Sequence, residues 1–139
     1  MNIGFDFRMG GTQHGGIGRY CSELLFAMLE VDTQDKFYVF YNDSVSPQDL
    51  EQLDKHLHVE LVRVPARHYS LAEQTLFLRE LNKQPLDVVH FPNFNHPMWY
   101  RKPFVVTVHD MVHHKISGHK PTHYFHFKAY QAVMKNAVE

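Results

Sequence analysis

The chain has 139 residues, 44% of them apolar, enough for a single domain with one buried core and too apolar for a disordered tail. Lys and Arg number 14 against 15 Asp and Glu, so the formal charge of -1 offers no long-range capture of nucleic acid, and no nucleic-acid partner is expected. The lone cysteine, Cys21, excludes an internal disulfide, and no run approaches the ~18 apolar residues of a membrane span. The opening MNIGFDFRMGG carries charges and no export-type apolar run, so a cytoplasmic location is expected, with peripheral membrane contact left open.

In chain order, short dense apolar runs alternate with stretches of helical period, the pattern of an α/β sheet protein. NIGFDF (Asn2–Phe7) reads as a first strand too apolar to have a wet face. From Ile17 to about Val31, Ile17, Tyr20, Cys21, Leu24, Leu25 and Met28 fall on one face of a helix that would lie on the sheet. Lys36–Asn42 is a second strand, followed by a short helix over Gln48–Lys55 with Leu50 and Leu53 inward. His58–Val64 is a third strand. The next helix is expected over Ser70–Asn82, with Leu71, Phe77, Leu78 and Leu81 as its apolar face and Ser70 as cap with Glu73 three residues on.

LDVVHF (Leu86–Phe91) and PFVVTVH (Pro103–His109) are nearly continuous in apolar character, as central parallel strands covered on both faces should be. NFNHPMWY between them reads as a loop. The run HYFHFKAYQAVMKNAVE is helical and stops at the last residue, so the chain is expected to be cut before the last elements of its sheet.

In open parallel sheets, ligands collect at the carboxyl ends of the strands. That puts three segments in reach of one cleft: Arg8 to Gly18, Asn93 to His96, and His109 to His114. Gly15, Gly16 and Gly18 stand at a helix start, where backbone N–H groups and the positive end of the dipole favour an anion, and Arg19 adds charge. The same glycines could equally be no more than a flexible lead-in to the helix. A dinucleotide site fits poorly: Cys21 stands where a third glycine is needed, and Asp43 is the one acidic candidate at the end of the second strand.

Three segments in order carry a resemblance: IGFDFRM…GGIGRY (Ile3–Met9 and Gly15–Tyr20), DVVHFPNF (Asp87–Phe94) and VVTVHDM (Val105–Met111). Together they resemble the N-terminal domain of family-4 retaining glycosyltransferases of the GT-B fold, in particular bacterial mannosyltransferase-like enzymes of polysaccharide and lipopolysaccharide assembly. The resemblance extends over essentially the whole chain. It implies a Rossmann-like parallel sheet with flanking helices, one half of a GT-B architecture. The missing C-terminal domain would hold most of the nucleotide sugar, and this chain alone would be inactive.

The resemblance implies a donor of the GDP-mannose or UDP-glucose type and a glycan or lipid-linked acceptor; no cofactor and no metal are expected, and peripheral contact with the inner membrane is left open. It further implies that Gly15, Gly16 and Gly18, followed by Arg19, face the donor diphosphate. His109 would lie near the transferred sugar with Asp110 beside it. Asp6 and Arg8 would shape the base of the cleft, and His90, Pro92 and Asn93 would form the acceptor-side segment. Transfer would need charge stabilisation at the departing phosphate, which backbone amides near Gly16 can supply, and His109 could orient a hydroxyl or the leaving group through a ring nitrogen or its carbonyl. Asp110 could instead be structural, capping a turn or accepting from His109. MVHHKISGHK (111–120) departs from the family's proline-containing loop.

Other residues admit two readings. His109 and His113, and His119, His123 and His126, have spacings that two imidazoles can use to share zinc, but lack a carboxylate or cysteine complement. Met98, Trp99 and Tyr100 could be an acceptor platform, a membrane-facing patch or a half-buried domain edge. His68 and Tyr69, with Arg67, could line the acceptor side. The alternative to an enzyme is a noncatalytic Rossmann-like module that docks on a partner.

Overall fold

The computed structural model describes residues 1–31, 34–109 and 135. Its elements are β1 (Asn2–Asp6), α1 (Gly15–Val31), β2 (Lys36–Tyr41), α2 (Pro47–Asp54), β3 (Val59–Arg63), α3 (Leu78–Lys83), β4 (Val88–Phe91) and β5 (Phe104–Val106). A 3-10 turn, Thr12–His14, leads into α1, and a π-helical turn, Glu73–Phe77, leads into α3. The five strands are all parallel in the order β3-β2-β1-β4-β5, a Rossmann-like α/β sheet with flanking helices, as the alternating periods imply.

Strand alternation builds a core on each face. Along β2, Phe37 and Val39 join Phe5, Phe7, Cys21, Leu25, Leu29 and Leu53 beneath α1 and α2. Tyr38 and Phe40 point the other way, to Phe77, Leu81, Val89, Phe91 and Tyr100. Each fully buried side chain of this size contributes roughly 1.5–3 kcal/mol of apolar transfer. α2 starts where Ser46 accepts from the Asp49 amide at 3.1 Å and Pro47 takes the first turn, which needs no N–H partner there.

Among the described residues β5 stands at one edge of the sheet, with Val105 54% exposed. Two expectations need correction. Leu71 is not on an apolar face, being 85% exposed, because the inward position of that first turn belongs to Glu73, which is fully buried. The helical stretch runs from 71 to 83 as anticipated in length, but its middle is π-helical. Ser70 does cap it, its hydroxyl accepting from the Glu73 amide at 3.2 Å. The last expected helix, over 123–139, lies outside the described residues apart from Lys135. Among the described residues, no helix is long and apolar enough to cross a membrane.

Candidate functional site

Because β2 and β3 build outward from one side of β1 while β4 and β5 build from the other, the loops after β1 and β4 part above the carboxyl edge. Such a switch point leaves a crevice in doubly wound sheets. The loop after β1 keeps to the sheet at first, the Phe7 amide donating to Phe40 O at 2.8 Å, and then enters α1 through Gly15 with φ +58°. That left-handed value suits glycine.

The glycines divide by surroundings. A Cβ placed on Gly15 or Gly16 would meet nothing within 4 Å, so their backbone borders open space. On Gly18 it would sit 2.0 Å from Gly11 O and 2.8 Å from Met9 O. Gly18 therefore lets the loop lie against α1, which differs from its expected place facing a ligand. The Arg19 side chain is exposed, its Nε 3.8 Å from Glu23 Oε1, one turn along the helix.

His109 comes to this same helix. Its ring packs edge-on against Tyr20 with centroids 4.8 Å apart, and Tyr20 stands one turn beyond Gly16. His109 Nε2 lies 2.7 Å from Pro92 O. A carbonyl only accepts, so Nε2 carries hydrogen and Nδ1 of the neutral ring is the nitrogen left to accept. The Tyr20 hydroxyl is 3.1 Å from Thr107 Oγ1, which is 2.9 Å from His90 Nε2. His90 thus belongs to a chain of polar contacts between β4, β5 and α1, and burial lowers its pKa.

Beneath the crevice lies a buried ionic network. Arg8 Nε and Nη2 donate to Asp6 Oδ1 and Oδ2, both at 2.8 Å, and Nη2 also donates to Glu73 Oε1 at 2.7 Å. The guanidinium lies 3.8 Å from the centre of the Phe77 ring. Asn95 Nδ2 donates to both Glu73 oxygens at 2.7 Å, and the Tyr69 amide donates to Oε2 at 3.0 Å. Burial alone would raise the Glu73 pKa, but His68, Arg8 and Asn95 outweigh it and hold the carboxyl at about 2. For Arg8, burial opposes the charge, yet Asp6 and Glu73 raise its pKa overall. Asp6 and Arg8 are both buried, so neither side chain is open to a ligand.

The remaining wall joins distant segments. Buried Asn93, after β4, donates toward Tyr69 Oη at 3.4 Å and Met9 Sδ at 3.7 Å, while its own Oδ1 accepts from the Phe94 amide at 2.9 Å. His68 Nδ1 lies 3.5 Å from Glu73 Oε1, and its ring meets that of His14 edge-on at 6.3 Å. Burial, then His68, lowers the His14 pKa. Cys21 is buried and its thiol is pushed up to about 12 by burial and by Asp6, which leaves it unreactive. Asp43 is engaged outside the crevice, accepting from Arg63 in a two-pronged contact at 2.8 Å. Asp110 and the histidines from 113 to 126 lie outside the described residues.

Glu73, Tyr20 and Thr107 were missed as site components. Glu73 was visible only as a capping partner, and Tyr20 only as one apolar position of its helix. Comparison with protein-family models, curated proteins and solved structures returns no match.

Proposed function

We infer that this chain is the acceptor-side domain of a retaining glycosyltransferase. The full enzyme would move a mannose- or glucose-type hexose from a nucleotide-diphosphate donor to a glycan or lipid-linked acceptor. One observation carries the reading: the backbone at Gly15 and Gly16 borders open space at the start of α1, and the imidazole of His109 packs against Tyr20, one turn beyond Gly16. Amides at a helix start stabilise charge gathering on a departing phosphate. His109, fixed by its bond to Pro92 O, offers Nδ1 as an acceptor for a sugar hydroxyl.

In this reading the donor is completed by a second α/β domain facing the carboxyl edge, and the acceptor enters beside Asn93 and His68. The test is transfer by the full-length gene product with GDP-mannose and UDP-glucose. Product with retained anomeric configuration is expected, with turnover reduced on the order of 10²-fold in His109→Ala. Neither transfer nor protection by any nucleotide sugar would overturn it.

A further inference from the structure

The aromatic group Met98, Trp99 and Tyr100 divides in the fold. Tyr100 turns inward: its amide donates to Pro97 O at 3.0 Å and its buried ring packs on Phe91 and Phe104. Trp99 turns outward, 61% exposed, and makes no hydrogen bond or ring contact among the described residues. The turn that carries it lies along the helical stretch 71–83. Gln74 Oε1 accepts from the Met98 amide at 2.9 Å, and Gln74 Nε2 donates to His96 O at 3.4 Å.

The outer side of that stretch is unusual in turn. Leu71, one turn before Gln74, is 85% exposed, and Thr75, Leu76 and Arg79 are exposed after it, while Glu73, Phe77 and Leu81 take the inward side. One exposed apolar side chain is ordinary, but Leu71, Leu76 and Trp99 come from two segments that a single glutamine ties together.

The unpaired charges beside them are all positive. Arg67 lies before the bend that Ser70 closes by donating to Arg67 O at 2.6 Å, Arg79 stands one turn after Thr75, and Arg101 stands two residues after Trp99. All three are exposed, and none has a carboxylate partner among the described residues. Arg19, Lys36, Lys55, Arg63 and Lys83, by contrast, each pair with Asp or Glu. The acids of the helical stretch offset little, because Glu80 accepts from Lys83 at 2.7 Å and Glu73 is buried with Arg8.

We propose that Trp99, Leu71 and Leu76, with Arg67, Arg79 and Arg101, form a docking face for a membrane surface rich in anionic lipid. A tryptophan ring suits the headgroup layer, where its body meets hydrocarbon and its N–H meets water, and arginine stems can follow it while the guanidinium groups stay among phosphates. A fluid headgroup layer meets such scattered groups wherever they stand. An acidic protein would have to match each at a fixed position. The inference makes no use of the transferase reading.

The test uses the 139-residue chain, whose single tryptophan is Trp99. Its probes are vesicles of phosphatidylcholine alone and of phosphatidylcholine mixed equally with phosphatidylglycerol. With the mixed vesicles at low salt, the chain should sediment and its tryptophan emission should move to the blue. Salt at about 1 M, where screening acts within about 3 Å, should release most of the chain. By sedimentation, Arg79→Gln and Arg101→Gln should each weaken binding about fivefold, and Trp99→Ala and Leu71→Ser about tenfold. Urea midpoints of all four should match the parent's, since each position is exposed. The docking face is overturned by no binding to the mixed vesicles, which would leave the arginines to an acidic protein. It is equally overturned by equal binding to phosphatidylcholine alone, by binding without the blue shift, or by parent-like binding in all four variants. Vesicle binding through Trp99, in a full-length product that transfers nothing, would leave the face standing and end the transferase reading alone.

Discussion

Arg8 Nη2 donates to Glu73 Oε1 across 2.7 Å with both side chains fully excluded from solvent, although 65 residues separate them in the chain. This contact ties the end of β1 to the first turn of the helical stretch ahead of α3, and through Asn95 to the loop after β4. The three segments that border the crevice are therefore held by one charge network.

Removing one partner from such a network strands the others without water. Arg8→Leu, which leaves Asp6 and Glu73 facing each other unpaired, should cost about 3–5 kcal/mol of stability. Glu73→Gln, which keeps the shape but loses the charge and turns one acceptor oxygen into a donor, should cost less, about 1–3 kcal/mol. Urea denaturation of the two variants decides the order, and an Arg8→Leu chain within 1 kcal/mol of the parent would contradict it.

The same carboxyl sets the acid limit. The Glu73 pKa falls from 4.5 to about 2 in the fold, so between these values the unfolded chain holds a proton that the folded chain lacks. Its stabilisation is complete above pH 4.5 and is lost as pH falls toward 2, about 3 kcal/mol in all. His90, lowered from 6.5 by burial, acts in the same direction from pH 6.5 downward, because the unfolded chain takes up a proton first. Urea midpoints measured from pH 7.5 to 3 should decline in two stages, and Glu73→Gln should remove the lower one.

Gly16 and Gly18 should respond in opposite senses. Gly18→Ala drives a methyl to within 2.0 Å of Gly11 O, a backbone atom that cannot step aside, and should destabilise by about 1–3 kcal/mol. Gly16→Ala meets open space in the first turn of α1 and should stabilise by up to about 1 kcal/mol. If nucleotide sugar approaches that backbone, Gly16→Ala should also weaken its binding in the full-length product. Denaturation curves and donor titration of the same variants separate the two effects.

Tyr100 is buried with a hydroxyl that has no hydrogen-bond partner among the described residues, and burial pushes its pKa up to about 12. An unsatisfied buried hydroxyl destabilises, so Tyr100→Phe should gain about 1 kcal/mol while its ring stays against Phe91 and Phe104. A lower urea midpoint in Tyr100→Phe would show that the hydroxyl finds a partner in solution.

The Asp6-x-Arg8 pair stood out in the sequence because its two members are neighbours at the end of a strand. Their third partner did not, since period alone placed Leu71 inward and treated Glu73 as part of a cap. A single buried carboxylate reverses that choice, because a guanidinium sealed in the core must be matched by charge.

What the sequence by itself determined is the set of strands and helices, their parallel α/β arrangement and the glycine approach to α1, because periodicity and glycine geometry act over a few residues. Tertiary structure alone decided which glycines stay open, that His109 packs against Tyr20, and that Glu73 holds the Tyr69 amide. Those relations depend on the order of strands in the sheet, and strand order is set by long-range packing that local pattern does not encode.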